Sequence, residues 1–102
     1  MTPEGIIKNQ ILDYLRRVPA CVIFPITMQG LKGRRSTMRL GTPDIICSIQ
    51  GRFVGIEVKT KTGKPSVEQK EVLRDLNLCA SIGFIARSVE DVIKILKLEN
   101  LV

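Results

Sequence analysis

The spacing of apolar positions changes several times along this chain, and each change marks an element. Ile6, Ile7, Ile11, Leu12 and Leu15 recur at the three- and four-residue intervals of one helix face, to about Arg17, with Lys8, Asp13 and Arg16 turned outward. Thr2 stands where an N-cap belongs, Pro3 at the first helical position and Glu4 in the first turn, where the helix dipole favours an acid. Val22 to Thr27 is a short β-rich run whose Pro25 lacks the N–H a ladder needs, so it reads as an edge or bulged strand. Further on, the apolar runs Ile45 to Ile49 and Phe53 to Val58 flank Gln50-Gly51-Arg52, a hairpin pattern. With Gln50 and Gly51 as a two-residue turn, Ile49 faces Arg52, and counting outward sets Asp44 opposite Glu57. Alternation then points Ile45, Cys47, Ile49, Val54, Ile56 and Val58 into an apolar layer, with Asp44, Ser48, Gly55, Glu57 and Lys59 on the opposite face.

Thr60 to Pro65 is a turn-rich link carrying Lys61 and Lys64. Ser66-Val67-Glu68-Gln69 then matches a capping box, which predicts a helix to about Cys79 that buries Val72, Leu73, Leu76 and Cys79. Ile82 to Ala86 reads as a third central strand, parallel to Phe53 to Lys59 through a right-handed crossover. Ser88 caps a last helix from about Val89 to Leu98. Its apolar residues Val89, Val92, Ile93, Ile95, Leu96 and Leu98, with Leu101 and Val102, cover more than one face, and that surplus is a candidate dimer surface. The order of elements predicts an α/β fold with a mixed sheet flanked by helices, as a single domain over residues 1–102.

Charge narrows the partners. The 102 residues carry a net charge of +6, distributed as +5 over residues 1–43, +2 over 44–64 and −1 over 65–102. The segment Gly30 to Gly41 holds Lys32, Arg34, Arg35 and Arg39 without an acid and leads into Asp44, so it reads as a phosphate clamp for nucleic acid. Aromatic residues, at 4%, are too few for a base-stacking platform. The absence of histidine excludes Ser-His and Cys-His catalysis and His-ligated zinc. Cys21, Cys47 and Cys79 lie far apart in apolar contexts, which predicts buried thiols in a reducing compartment. No apolar run reaches the roughly 18 residues of a membrane span, and the N-terminus lacks an apolar signal segment. The expectation is a cytoplasmic protein that does not engage a membrane.

Two carboxylates opposed across a hairpin repel each other unless something offsets their charge. One solution is a hard divalent cation such as Mg2+ or Mn2+, held by Asp44 and Glu57, with Lys59 on the same face reaching a bound water or a phosphate. The plainer alternative is a Glu57–Lys59 ion pair on a solvated face, with Asp44 a turn residue after Pro43. The co-occurrence of the Gly41-Thr42-Pro43-Asp44 turn, the apolar run and Glu57-Val58-Lys59 favours the first. Glu4 reads equally as a dipole acid and as a group leaning over the site. Gln69 reads as the capping-box partner of Ser66 and as a residue near Lys59 that orders water or the lysine.

Pro43-Asp44 followed by Glu57-Val58-Lys59 resembles the PD-(D/E)xK nuclease signature. With Glu4, the Gly-Thr-Pro-Asp turn and Gln69, the pattern is similar to the VRR-NUC branch of that superfamily over about the whole chain. Where that family commonly carries an aromatic-Arg-Asn stretch, this chain has Cys21-Val22-Ile23-Phe24-Pro25. The resemblance implies a restriction-endonuclease-like core and a Mg2+-dependent (Mn2+ substituting) endonuclease for branched DNA such as Holliday junctions. It also implies a homodimer of the stand-alone, often phage-encoded kind. Asp44, Glu57 and the Val58 carbonyl would hold the ion, Lys59 would be catalytic, Gln69 and Glu4 would support, and Lys32, Arg34, Arg35, Arg39 and Lys61 would contact DNA. Readings from other classes are a non-catalytic basic DNA-binding module and a scaffold subunit on the same fold.

Overall fold

A computed structural model describes residues 1–24 and 39–102. The strands are β1 (Cys21–Phe24), β2 (Ile45–Ile49), β3 (Arg52–Val58) and β4 (Ile82–Ala86), and the helices are α1 (Pro3–Leu15), α2 (Val67–Leu78) and α3 (Val89–Leu98). The strands form one sheet in the order β1-β2-β3-β4, antiparallel at the first two pairings and parallel at the third. The hairpin register runs from Ile49↔Arg52 to Ile45↔Ile56, as the alternation requires. Gln50 at φ 50° and Gly51 at φ 82° supply the two positive dihedrals of a type I′ turn, whose twist matches that of the flanking strands. The short run with Pro25 does lie on an edge, as β1, while residues 25–27 of the expected strand lie outside the described residues.

Period two sorts the sheet into unlike faces. Ile45, Cys47, Ile49, Val54, Ile56 and Val58 are buried together with Ile11 and Leu15 of α1 and Val92 and Leu96 of α3, so these two helices close the apolar side. The other side, at β3 and β4, is covered by α2. Gly55 and Gly83 are register partners there. A Cβ on Gly55 would come within 2.8 Å of Leu76 Cδ1, and one on Gly83 within 3.0 Å of the Leu73 carbonyl oxygen. The paired glycines thus form a flat seat that lets α2 press against the strands.

Several elements differ from the sequence reading. β4 is an edge strand rather than a central one, since no later strand among the described residues adds to it. Its outward groups at Gly83 are instead satisfied by Asn77 of α2, whose side chain accepts from the Gly83 N–H and donates to the Gly83 carbonyl, both at 2.9 Å. Ile6 is exposed, because the buried line of α1 runs through Ile11 and Leu15 and leaves it on the flank. Cys79 is exposed too, since α2 stops at Leu78 and Cys79 becomes its C-cap; Cys21 is half-buried and Cys47 fully buried. No described helix is long and apolar enough to cross a membrane.

The C-terminus differs most. Asn100 takes a left-handed φ of 58°, the Leu101 N–H donates to the Leu96 carbonyl at 2.8 Å and the Asn100 N–H to the Lys97 carbonyl at 3.1 Å. This is a Schellman ending, and it folds Leu101 back onto the core, where it is 4% exposed. Gln50 Nε2 donates to the Leu101 carbonyl and Arg52 pairs with Glu99, which staples the end of the chain to the hairpin turn. Ile95 also packs against the core, so the apolar surplus expected as a dimer surface reduces to the exposed Leu98 and Val102. Leu101→Ala is therefore expected to lower stability in urea denaturation by about 2–5 kcal/mol. Unaltered stability would mean that Leu101 is not a core residue.

Candidate functional site

The site assembles where the hairpin opens. Asp44 lies one residue before β2, and beyond the last ladder pair its carboxylate takes over the bonding of the sheet: Oδ2 accepts from the Val58 N–H at 3.0 Å. Glu57, opposite it, is not on a solvated face. At 2% exposure it is the one buried charged side chain among the described residues. Its Oε1 accepts from Gln69 Nε2 at 3.0 Å and lies 3.9 Å from Lys59 Nζ, whereas its buried Oε2 has no hydrogen-bond partner. Lys59 is itself largely covered, with a side chain 15% exposed, and its N–H donates to the Ala86 carbonyl, which ties it to the end of β4.

Gln69 completes the capping box read from the sequence, and its second contact is with Glu57 rather than Lys59. The Ser66 N–H donates to Gln69 Oε1 at 2.8 Å while the Gln69 N–H donates to Ser66 Oγ at 3.1 Å, completing the capping box. Because the amide oxygen is occupied by the cap, the NH2 must point the other way, and it meets Glu57 rather than Lys59. One side chain thereby starts α2 and holds an acid. The turn before β2 is fitted to the same place. A Cβ on Gly41, whose φ is +89°, would lie 2.5 Å from the Glu68 carbonyl carbon and oxygen, so only glycine lets this turn pass under the first turn of α2. Pro43 is buried beside Gly55, which sets the direction of Asp44.

Electrostatics follow from this burial. Desolvation pushes the Glu57 carboxyl up to about 8; the adjacent Asp44 carboxyl raises it as well, Lys59 opposes, and the negative charge of Glu4 adds a smaller upward push. Glu4 stands in the first turn of α1, which Thr2 caps. Among the described residues no three acidic or thiol side chains converge on one point. A cation here would draw on Asp44, Glu57, a backbone carbonyl such as that of Val58, and water, a donor set that suits Mg2+. The unpartnered Glu57 Oε2 fits that use.

The predicted DNA contacts separate into groups. Lys32, Arg34 and Arg35 lie outside the described residues. Arg39 pairs with Asp75 of α2 at 2.7 Å, an exposed contact of small worth. Lys61 is exposed on the turn after β3. That turn is braced by a residue the sequence did not single out: Arg87 Nη1 donates to the carbonyls of Thr60, Lys61 and Gly63. The signal for Arg87 is positional. It follows Ala86, the register partner of Val58, and so stands beside Lys59 only once β3 and β4 are known to be parallel.

A pH profile tests the burial of Glu57. Its carboxyl is raised when folded, so between about pH 4.5 and 8 the native state keeps a proton that the unfolded state has released. Stability therefore falls as pH rises through this window, by an amount on the order of several kcal/mol from this group, and levels off above it. In EDTA, Glu57→Gln is expected to lose that slope and to be more stable than wild type at pH 8. Parallel profiles for the two proteins would contradict the placement of Glu57.

No family model and no curated protein matches this chain. Solved structures are similar to it, among them the following two. One, described as "VRR_NUC domain", superposes with a TM-score of 0.71 at 19% identity over 95% of this chain and 97% of that one. The other, described as "VRR_NUC domain protein", gives a TM-score of 0.65 at 19% identity over 96% of this chain and 88% of the other. At this identity the likeness is one of architecture, and it extends over nearly the whole chain: an α/β fold with a mixed four-stranded sheet and three helices.

Proposed function

We propose that this protein is a metal-dependent endonuclease that hydrolyses phosphodiester bonds in branched DNA, four-way junctions among them, and works as a homodimer. The observation that carries the reading is the buried Glu57, one oxygen held by Gln69 and the other unpartnered, beside Asp44 and within 3.9 Å of the Lys59 ammonium. Its position on a nuclease-like fold supports the same reading. A basic chain of net charge +6 suits a polyanionic substrate.

Asp44, Glu57 and the Val58 carbonyl would hold Mg2+ or Mn2+, which when bound supplies acidity to water and positive charge to a phosphate oxygen. Gln69 keeps Glu57 Oε1 engaged, which holds the carboxyl in place and leaves Oε2 without a partner. Asp44 is fixed through Oδ2 by the Val58 N–H. Lys59, ordered by its backbone bond to β4 and by Glu57, orients the attacking water and offsets charge that builds on the phosphate. Glu4 adds negative charge that strengthens cation affinity. Lys61, Lys32, Arg34 and Arg35 engage backbone phosphates, and the exposed Arg39–Asp75 pair is weak enough to exchange for one. Paired cuts in a junction need two such sites, one from each protomer of a two-fold dimer.

Labelled linear, flapped and four-way DNA incubated with Mg2+, Mn2+ or EDTA tests this. Wild type is expected to cut branched DNA only with a cation. Lys59→Ala and Asp44→Ala are expected to slow cleavage by about 100-fold or more, with DNA binding largely retained for Lys59→Ala. Cleavage by Lys59→Ala at the wild-type rate would remove the lysine from the chemistry. Binding without cleavage under every condition would identify a non-catalytic module.

A further inference from the structure

Against Asp44 lies a cleft whose other walls the proposed chemistry does not use. It has a volume of about 340 Å3 and is walled by Lys8, Leu12 and Arg16 of α1 and its C-cap, Ile23 and Phe24 of β1, and Asp44-Ile45. Three of these belong to one line on α1: Lys8, Leu12 and Arg16 follow Glu4 at four-residue intervals and so share a stripe. The stripe starts at the acid felt by Glu57 and runs away from the site. At 1.5 Å per residue, Lys8 sits about 6 Å along the axis from Glu4 and Arg16 about 12 Å beyond Lys8. Spaced in this way along the axis, the two cations can take neighbouring phosphates of one strand.

From this juxtaposition of two spaced cations with an apolar floor beside Asp44, we infer that the cleft binds one unpaired nucleotide of a DNA strand next to the scissile bond. Lys8 and Arg16 take its flanking phosphates. This rests on the nuclease reading and adds to it the feature of the substrate that is recognised. A duplex turns its bases inward and would offer the cleft only phosphates, leaving Leu12, Ile23 and Phe24 uncovered. An unpaired nucleotide offers a base face as well, and the half-exposed Phe24 is the ring on which it stacks. Arg16 pairs with Asp13 at 2.9 Å, but both side chains are more than 60% exposed, so that pair yields to a phosphate at little cost. Asp44 repels a phosphate, which places the phosphate contacts on the α1 side of the cleft and the base against its apolar wall. Selectivity for flapped and single-stranded-armed DNA then comes from the unpaired nucleotides that these provide, whereas a fully paired four-way junction offers one only where a strand opens at the crossover.

The test is a binding titration in Ca2+ at several salt concentrations, using a duplex with a single-stranded thymidine arm and the matching blunt duplex. Lys8→Ala/Arg16→Ala is expected to reduce the slope of log affinity against log salt by about 1.4 on the armed duplex, two contacts at about 0.7 each on single strands. It is also expected to abolish the preference for the armed over the blunt duplex. Lys94→Ala/Lys97→Ala removes the same charge from the exposed side of α3 and is expected to change neither property. Lys8→Arg/Arg16→Lys, which keeps both charges, is expected to restore the slope. If the two alanine pairs behave alike, or the arm preference survives in Lys8→Ala/Arg16→Ala, the cleft is not a strand-binding site. A wild-type protein that binds and cuts no DNA overturns the nuclease reading itself, and the cleft assignment with it.

Discussion

Burying a carboxylate without satisfying both oxygens costs free energy, on the order of 1–3 kcal/mol for an unpaired acceptor alone. Glu57 carries that cost at 2% exposure, with Oε2 unpartnered and the Asp44 carboxyl adjacent. Folding would relieve it by turning the side chain outward, and the surrounding structure prevents this. Gln69 grips Oε1, α2 lies flat on the Gly55–Gly83 seat, and Gly41 brings the preceding turn against the backbone of Glu68. We propose that this preorganised acid pair is a cation site whose support is built into the fold.

The capping box is the link between fold and site. A helix N-terminus needs its first N–H groups satisfied, and Ser66 with Gln69 meets that need. The same bond fixes which end of the Gln69 amide faces the sheet, so the force that starts α2 also determines that Glu57 meets a donor. Arg87 plays a comparable part at the far end of the site. By gathering three carbonyls of the turn after β3, it holds Lys61 and the exit from Lys59 in place without touching either acid.

Much of this was legible from local pattern. The hairpin register followed from period two and a Gln50-Gly51 turn, and with it the opposition of Asp44 and Glu57. The starts of α1, α2 and α3 followed from Thr2, Ser66 and Ser88. What escaped depends on contacts between distant segments. The burial of Glu57 needs α2 to lie over Gly55, and nothing in Glu57-Val58-Lys59 announces that neighbour. Leu101 reads as surplus surface in sequence because only the left-handed Asn100 turns it inward. Cys79 fits an apolar period but falls on a helix end. The edge position of β4, and hence the role of Asn77, is a property of the sheet as a whole.

The central claim is that the Asp44–Glu57 pair is arranged to receive a divalent cation, and calorimetric titration of Mn2+ into the DNA-free protein near pH 8 tests it without relying on activity. Saturable binding of one ion per chain, lost in Glu57→Gln and in Asp44→Asn, is the expected result. No binding by the wild type, or equal binding by all three proteins, would contradict it.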